Sequence, residues 1–416
     1  MKKRTKHSKI WCIVFGLLGV IVLIVLIFMH FGGFSTGENV NPEEFVKYAQ
    51  SVEDITVPEN AKIIALGEAT HGNVEFQQLK LDVFKQMVEN YGVRAFVLEG
   101  DYGGCEQVNR YIHGGEGTAQ EAAAAIGFAI YRTDEMAELI SYMRQYNDNV
   151  SDDLDLRFYG FDMQRYAYNF QLLNEACKEQ GIDTKILQQL MDGEDWNSEF
   201  DYLTRMEIIT QIKNELKSKK DSAQAIHFAD MLLQYCELQV LTDTEGSTLR
   251  DRFMAENVQW ILQQEQQRGC ERIFVTGHNS HVAKWGSFDS MGKLLSTETD
   301  NDYYVIGTDF YRTRCNMPTS STKRTNQVFY SHNPLAKTAK MAGLDMCWLD
   351  FADIPENSEL YELISQYTYM GTLGEGYSWF MRLLPPSYRM FQPPAVLYDS
   401  MIFVADATPT KIITEK

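Results

Sequence analysis

Beyond its first nine residues this chain has no basic stretch. Its 416 residues carry 38 Lys and Arg against 57 Asp and Glu, a formal net charge of −19. Removing the five positive charges of MKKRTKHSK leaves −24 for the rest. A surface of that sign repels phosphate backbones, and no basic stripe interleaved with aromatics appears, which excludes a nucleic-acid partner. The acidity itself reads as a well-solvated surface. The seven cysteines (Cys12, Cys105, Cys177, Cys236, Cys270, Cys315 and Cys347) never form a C-x-x-C pair, so neither a zinc knuckle nor a disulfide-dense scaffold is implied. Several familiar catalytic signatures are missing too. No Gly-x-Ser-x-Gly elbow follows any expected strand, and there is no His-Glu-x-x-His. Gly286–Lys293 (GSFDSMGK) is one residue too long for a P-loop, with Leu294 in place of Ser or Thr. Internal repeats and low-complexity tracts are also absent.

What is present suits a globular protein with a sizeable core: 44% hydrophobic residues and 12% aromatics. The clearest local signal is Ile10–Met29, an uncharged apolar run that as a helix spans about 30 Å, the thickness of a bilayer's hydrocarbon core. The basic cluster before it is expected to stay cytoplasmic, placing the rest of the chain outside. An uncleaved anchor is preferred to a signal peptide because the run is long and no small-x-small site precedes FGGFSTGEN. The expected division is a basic cytoplasmic tail (1–9), a single transmembrane anchor (10–31), a Gly/Asn/Ser linker (32–42) and one domain (43–416). The expected location is a single-pass protein of the cell membrane with its catalytic domain extracellular.

After the linker, β-rich apolar runs alternate with amphipathic helices. Strands are expected at Ala61–Leu66, Arg94–Leu98, Leu156–Gly160, Arg272–Thr276, Tyr303–Ile306, Met346–Leu349 and Leu397–Ala405, with helices at Val74–Tyr91 and, in two pieces, Glu121–Asn147. From about 168 to 268 the chain reads as almost wholly helical. The fold class is therefore α/β, a mainly parallel sheet flanked by helices, with a large helical insertion or cap.

In an open parallel sheet ligands bind beyond the carboxyl ends of the strands. The first expected strand runs into Gly67-Glu68-Ala69-Thr70-His71-Gly72, the second into Glu99-Gly100-Asp101, the third into Phe161-Asp162. The fourth runs into Gly277-His278-Asn279-Ser280-His281. The chain has eight histidines, and three fall in these few residues. Singly, a Glu-x-x-His can cap a turn and a His-x-x-His can be a hydrogen-bonded corner. The combination at successive strand ends points to chemistry.

The ordered set LGEATHGNVEFQQLK (Leu66–Lys80), FVLEGDY (Phe96–Tyr102), RFYGFDMQ (Arg157–Gln164) and FVTGHNSHVAKW (Phe274–Trp285) resembles the erythromycin esterase family. RDRFMAENVQWIL (Arg250–Leu262) is similar to the helix that precedes the second histidine segment there. The resemblance extends from about residue 42 to YDSMIFV (Tyr398–Val404) and leaves out the apolar N-terminus. It implies a hydrolase of a small-molecule ester, of the bulky or cyclic, macrolide-like kind, without cofactor or metal. His71 would be the general base activating water, and Glu68 and Glu99 would orient and polarise it. Lys80 would occupy the family's basic position. His278 and His281 would stabilise the oxyanion or protonate the leaving alkoxide. A histidine titrating near neutrality suits such proton transfer, and a carboxylate partner fixes its tautomer.

Lys80, Arg132 and Asp162 are expected substrate contacts. Asp134, Asp309, Arg312 and His113 are weaker candidates, His227 and His332 read as structural or surface residues, and Tyr367–Met381 could supply apolar walls. Two other readings remain open. The same donors could hold zinc or manganese in a metal-dependent hydrolase or peptidase, or the histidines could hold haem or a metal ion in a surface binding protein.

Overall fold

The computed structural model describes residues 4–30, 40–286, 288–299, 302–320 and 323–413. Nine strands make one sheet: β1 (Ala49–Gln50), β2 (Ile63–Glu68), β3 (Ala95–Asp101), β4 (Arg157–Asp162), β5 (Ile273–His278), β6 (Tyr303–Ser320), β7 (Lys323–Tyr330), β8 (Met346–Asp350) and β9 (Ser400–Ala407). Their order is β1-β8-β9-β6-β2-β5-β3-β4, with β7 paired to β6. From β9 to β4 all pairings are parallel, and antiparallel pairings occur at β1–β8, β8–β9 and β6–β7. The fold is mixed α/β with a mainly parallel sheet. Strands β2, β3 and β5 are buried throughout, as continuous apolar runs covered on both faces must be.

Helices α1 (Arg4–His30), α2 (Val74–Tyr91), α3 (Tyr102–Ile112), α4 (Ala119–Ala125), α5 (Asp134–Asn147), α6 (Ala167–Glu179), α7 (Tyr202–Leu216), α8 (Ala223–Leu238), α9 (Asp243–Gln267) and α10 (Asn279–Val282) carry most of the covering. On one face Ala65, Val97 and Val275 meet Leu173, Ile209, Leu232 and Val258 of α6–α9. On the other, Ile64, Phe96 and Phe274 meet Phe84, Met87, Ile140 and Met143 of α2 and α5. Each such side chain contributes about 1.5–3 kcal/mol of burial. Helix α2 stops at Gly92, whose φ of 68° is the left-handed cap that glycine adopts without Cβ strain.

The helical stretch 168–268 thus forms a layer on one sheet face, and its contribution to the cleft described below is Arg250. It also contains a small hairpin, Met191–Asp192 with Asp195–Trp196, which the almost wholly helical expectation did not include. Strand β9 begins at Ser400 rather than Leu397, because Pro394–Leu397 is a short helix. Strand β6 runs on to Ser320 because β7 pairs with it; β7 carries little apolar pattern of its own. Helix α1 is long and apolar enough to cross a membrane, and over Ile10–Ile27 its side chains are exposed except Leu26, which is partly buried. Most of the linker expected at 32–42 and the start of the basic tail lie outside the described residues. The described cysteines are all free thiols, and all but Cys12 are buried.

Candidate active site

Register brings the four expected strand ends together. Gly67 pairs with Gly277 and Glu68 with His278 across β2 and β5. Asp101 pairs with Asp162 across β3 and β4 beyond a register shift. The glycines are required by crowding: a Cβ on Gly67 would stand 2.2 Å from Asn279 Oδ1, and one on Gly277 3.0 Å from Glu99 Oε2.

His71, 8% exposed, sits on the turn between β2 and α2. Its Nδ1 bonds Glu68 Oε1 at 2.7 Å, and Lys80 Nζ donates to Glu68 Oε2, also at 2.7 Å. Lys80 is buried, donates to Gln77 Oε1 at 2.8 Å, and stands one to two helical turns inside α2, so it lies behind Glu68 rather than on the cleft lining. Burial pushes the Glu68 carboxyl upward, but Lys80 and His71 outweigh it and hold the group at about 2. Burial lowers the His71 imidazole, and Glu68 more than reverses this, so its pKa is raised.

Glu99 forms the second centre. Its Oε2 accepts from the His278 backbone N–H at 2.7 Å and its Oε1 from Arg250 Nη2 at 2.9 Å, with His281 Nε2 at 3.5 Å. Burial opposes its ionisation, yet His281 and Arg250 keep it well below the carboxylate range. Arg250 grips Asp162 through Nε (3.1 Å) and Nη2 (2.7 Å). The next residue on α9, Asp251, points about 100° further round the helix and binds His281 Nδ1 at 2.9 Å. His281 is lowered by burial and raised overall by Glu99 and Asp251.

His278 differs. Its Nδ1 accepts from the Ser280 backbone N–H at 3.3 Å, capping α10, and lies 2.7 Å from Ser280 Oγ. With Nδ1 an acceptor, the proton of the neutral ring is on Nε2, a buried atom that has no partner among the described residues. Burial, then His71 and His281, push His278 down to about 3. Its ring centroid is 5.0 Å from that of His71 and 6.3 Å from that of His281.

A cleft of about 570 Å³ opens over these groups, with Phe128, Arg165, Pro318, Arg324 and Glu375 on its walls. Of the residues expected from the sequence, His71, Glu99, His278, His281 and Asp162 are on that lining, and Glu68 is bonded to His71 behind it. Asp162 reaches it with both oxygens engaged by Arg250 and Gln164. Arg132 is half-buried and absent from the lining; its carbonyl accepts from the Ile413 N–H. His113 binds Asn109 O and Asp155, away from the cleft. Asp309 is buried and holds Asn333 and the Gly371 N–H, burial raising it to about 7. Asp134 opens α5 and Arg312 pairs with Asp406 at the surface. His227 is stacked on Trp260 at 3.7 Å, a core contact. Gly374 and Glu375, from the expected wall segment, do line the cleft. Sequence reasoning did not name Arg250, Asp251 or Ser280 as site residues, although the quoted segments RDRFMAENVQWIL and Gly277–His281 contain them. Among the described residues no three His, Cys, Asp or Glu side chains are grouped to hold a metal ion.

Comparisons with known proteins agree with this fold. The erythromycin esterase family profile matches residues 88–407. Erythromycin esterase type II of Escherichia coli is 22% identical over 353 residues, 72% of this chain and 82% of that one. The Bacillus subtilis (strain 168) chain YbfO is 23% identical over 296 residues, 59% of this chain and 64% of that one. In fold, a Bacillus cereus crystal structure matches with TM-score 0.73 at 19% identity, covering 90% of this chain and 100% of that one. A mutant of the erythromycin esterase EreC in its open conformation matches with TM-score 0.57 at 14% identity, covering 91% and 98%. This chain belongs to the erythromycin esterase family and is a hydrolase of ester bonds.

Proposed function

We propose that the cleft cleaves a bulky or cyclic ester, macrolide-like in shape, with water activated by His71. The observation that carries this is the contrast between two rings 5.0 Å apart: His71 is clamped through Nδ1 to a carboxylate, while His278 is kept neutral with Nε2–H free.

His71 Nδ1–H donates to Glu68, so Nε2 is the basic atom facing the cleft. It takes a proton from water as the oxygen attacks the ester carbonyl carbon. The resulting oxyanion accepts from His278 Nε2–H, a neutral donor that keeps its proton at neutral pH. Collapse breaks the carbon–oxygen bond to the alcohol, and the His71 imidazolium returns its proton to the departing alkoxide. His281, whose pKa Glu99 and Asp251 raise, is held between those two carboxylates beside the carbonyl. Arg250, Glu99 and Asp162 fix that arrangement, and Lys80 acts through Glu68 rather than on substrate. Helix α1 anchors the protein in the membrane, with the catalytic domain on the extracytoplasmic side.

The test is turnover of an ester panel by the full chain, with a macrolide lactone and simple aryl esters, with and without chelator. Hydrolysis that resists chelator and disappears in His71→Ala supports the mechanism. Hydrolysis abolished by chelator moves the donors at this site to a metal-dependent reading.

A further inference from the structure

Large apolar side chains left in solvent follow two stretches of the cleft lining along the chain. From Ser280 and His281, on its lining, the chain runs directly to Trp285 (42% exposed) and Phe288. From Gly374 and Glu375, on another wall, it runs to Trp379 (73% exposed), Phe380 and Leu384. Two segments distant in sequence thus carry exposed aromatic rings within a few residues of the cleft lining. Aromatic residues of this kind, apolar in body and polar at one edge, are enriched where protein meets the headgroup region of a bilayer.

The structure indicates what lies against them. Helix α1 ends at His30 and the described domain begins at Val40. The nine residues between can span at most about 30 Å, so an α1 that crosses a bilayer keeps the domain within that distance of the lipid. Helix α1 also packs on the turn Trp379–Leu383. Within its apolar run Leu26, near the end that leads to the domain, is partly buried, whereas Ile24, Val25 and Ile27 are exposed. The end of a membrane span lies at the headgroups, and a turn that meets that end lies there too. The charge of −24 outside the basic tail disfavours anionic lipid, which leaves a zwitterionic surface as the match.

We propose that Trp285, Phe288, Trp379, Phe380 and Leu384 dock in the surface of a zwitterionic bilayer beside the anchor, so that the cleft opens toward lipid and takes esters of amphiphiles held in that leaflet. This rests on the reading of α1 as an anchor and of the cleft as an ester hydrolase. None of the five side chains lines the cleft, so they act on where the substrate comes from and not on the chemistry.

Two measurements on the full chain in phosphatidylcholine vesicles decide it. In the first, the emission of Trp379 is obtained as the difference between the natural chain and Trp379→Phe, in ordinary and in brominated phosphatidylcholine. Docking quenches that difference in the brominated vesicles; an unquenched difference overturns it, whatever the activity. In the second, Trp379→Ser with Phe380→Ser is assayed on a water-soluble short-chain ester and on a long-chain ester of the same leaving group embedded in the vesicles. Turnover of the embedded ester should fall about tenfold while the soluble ester is unchanged. An unchanged ratio overturns the lipid-side substrate. Absence of turnover on either ester by the unaltered chain removes the hydrolase reading and the substrate class with it, and the quenching result still decides the docking.

Discussion

The rings of His71 and His278 lie 5.0 Å apart, and the protein sets their protonation in opposite directions. Both are buried, which alone would strip the charge from each. Glu68 at 2.7 Å reverses this for His71, whereas the groups bonded to His278 Nδ1, a backbone N–H and a hydroxyl, bring no charge. Under the proposed mechanism this contrast is what separates the base from the neutral hydrogen-bond donor.

If His71 is the base, His71→Ala should lower kcat/KM by about three to four orders of magnitude, with the fold retained by circular dichroism. His113→Ala, whose ring is committed to Asn109 O and Asp155, should stay within about twofold. Comparable losses in the two variants would sink the assignment.

The rate should depend on pH through His71. Its raised pKa places the rising limb of kcat/KM above 6.5, since the base must be unprotonated. Replacing Glu68 by Gln removes the charge that raises it, so the limb should move to lower pH while the maximal rate falls. A limb that stays in place would show that a different group is titrating.

Arg250→Lys should not rescue the function of Arg250. The guanidinium spans Asp162 and Glu99 at once, and an ammonium cannot reproduce that fork. Loosening Glu99 misplaces His281 and the β5 end, and kcat/KM should fall about a hundredfold. Near-normal kcat/KM in Arg250→Lys, measured on the same ester, would contradict the clamp.

Lys80→Met should destabilise the fold by about 3–5 kcal/mol, because Glu68 is left as a buried charge with His71 alone to balance it. Urea unfolding of the variant against the parent measures this directly. A change below about 1 kcal/mol would mean that water reaches Glu68 after all.

Stability should fall on acidification. Glu68 is held at about 2 against an ordinary 4.5, so its contribution, about 3 kcal/mol, is complete above pH 4.5 and lost as pH falls toward 2. His278 is held at about 3 against 6.5, so the unfolded chain takes up a proton that the fold refuses, and stability drops as pH falls from 6.5 toward 3. His71 and His281, both raised, oppose this: they stabilise fully below 6.5, and that share is lost as pH rises through their folded values. In His278→Gln the decline between pH 6.5 and 4.5 should flatten, read as the urea midpoint at each pH.

Much of the fold was legible because its signals are local. Helix α2 falls on Val74–Tyr91 as expected, since its amphipathic pattern and the Gly92 stop lie within one segment. The apolar runs of β2, β3, β4 and β5 were found to within three residues, each extending further into the site than expected because backbone pairing continues through Gly67 and Gly277 and on to Asp101 and Asp162. Strand β7 was not visible: KRTNQVFY is half-exposed and is a strand only because β6 offers it a partner. The hairpin at Met191–Trp196 was hidden for the same reason.

The sequence by itself determined the apolar helix α1, the alternation that makes an α/β sheet, and the Glu68–His71 pair, whose members are three residues apart and meet on one turn. Tertiary structure alone decided the rest of the site. Strand β5 follows β4 by over a hundred residues yet inserts between β2 and β3, which sets His278 beside His71 and its N–H against Glu99. Arg250 and Asp251 diverge from one helix to two different partners, and Ser280 fixes the tautomer of His278. These pairings depend on strand order and helix rotation, which no local period encodes, and burial away from water is what turns them into charge states.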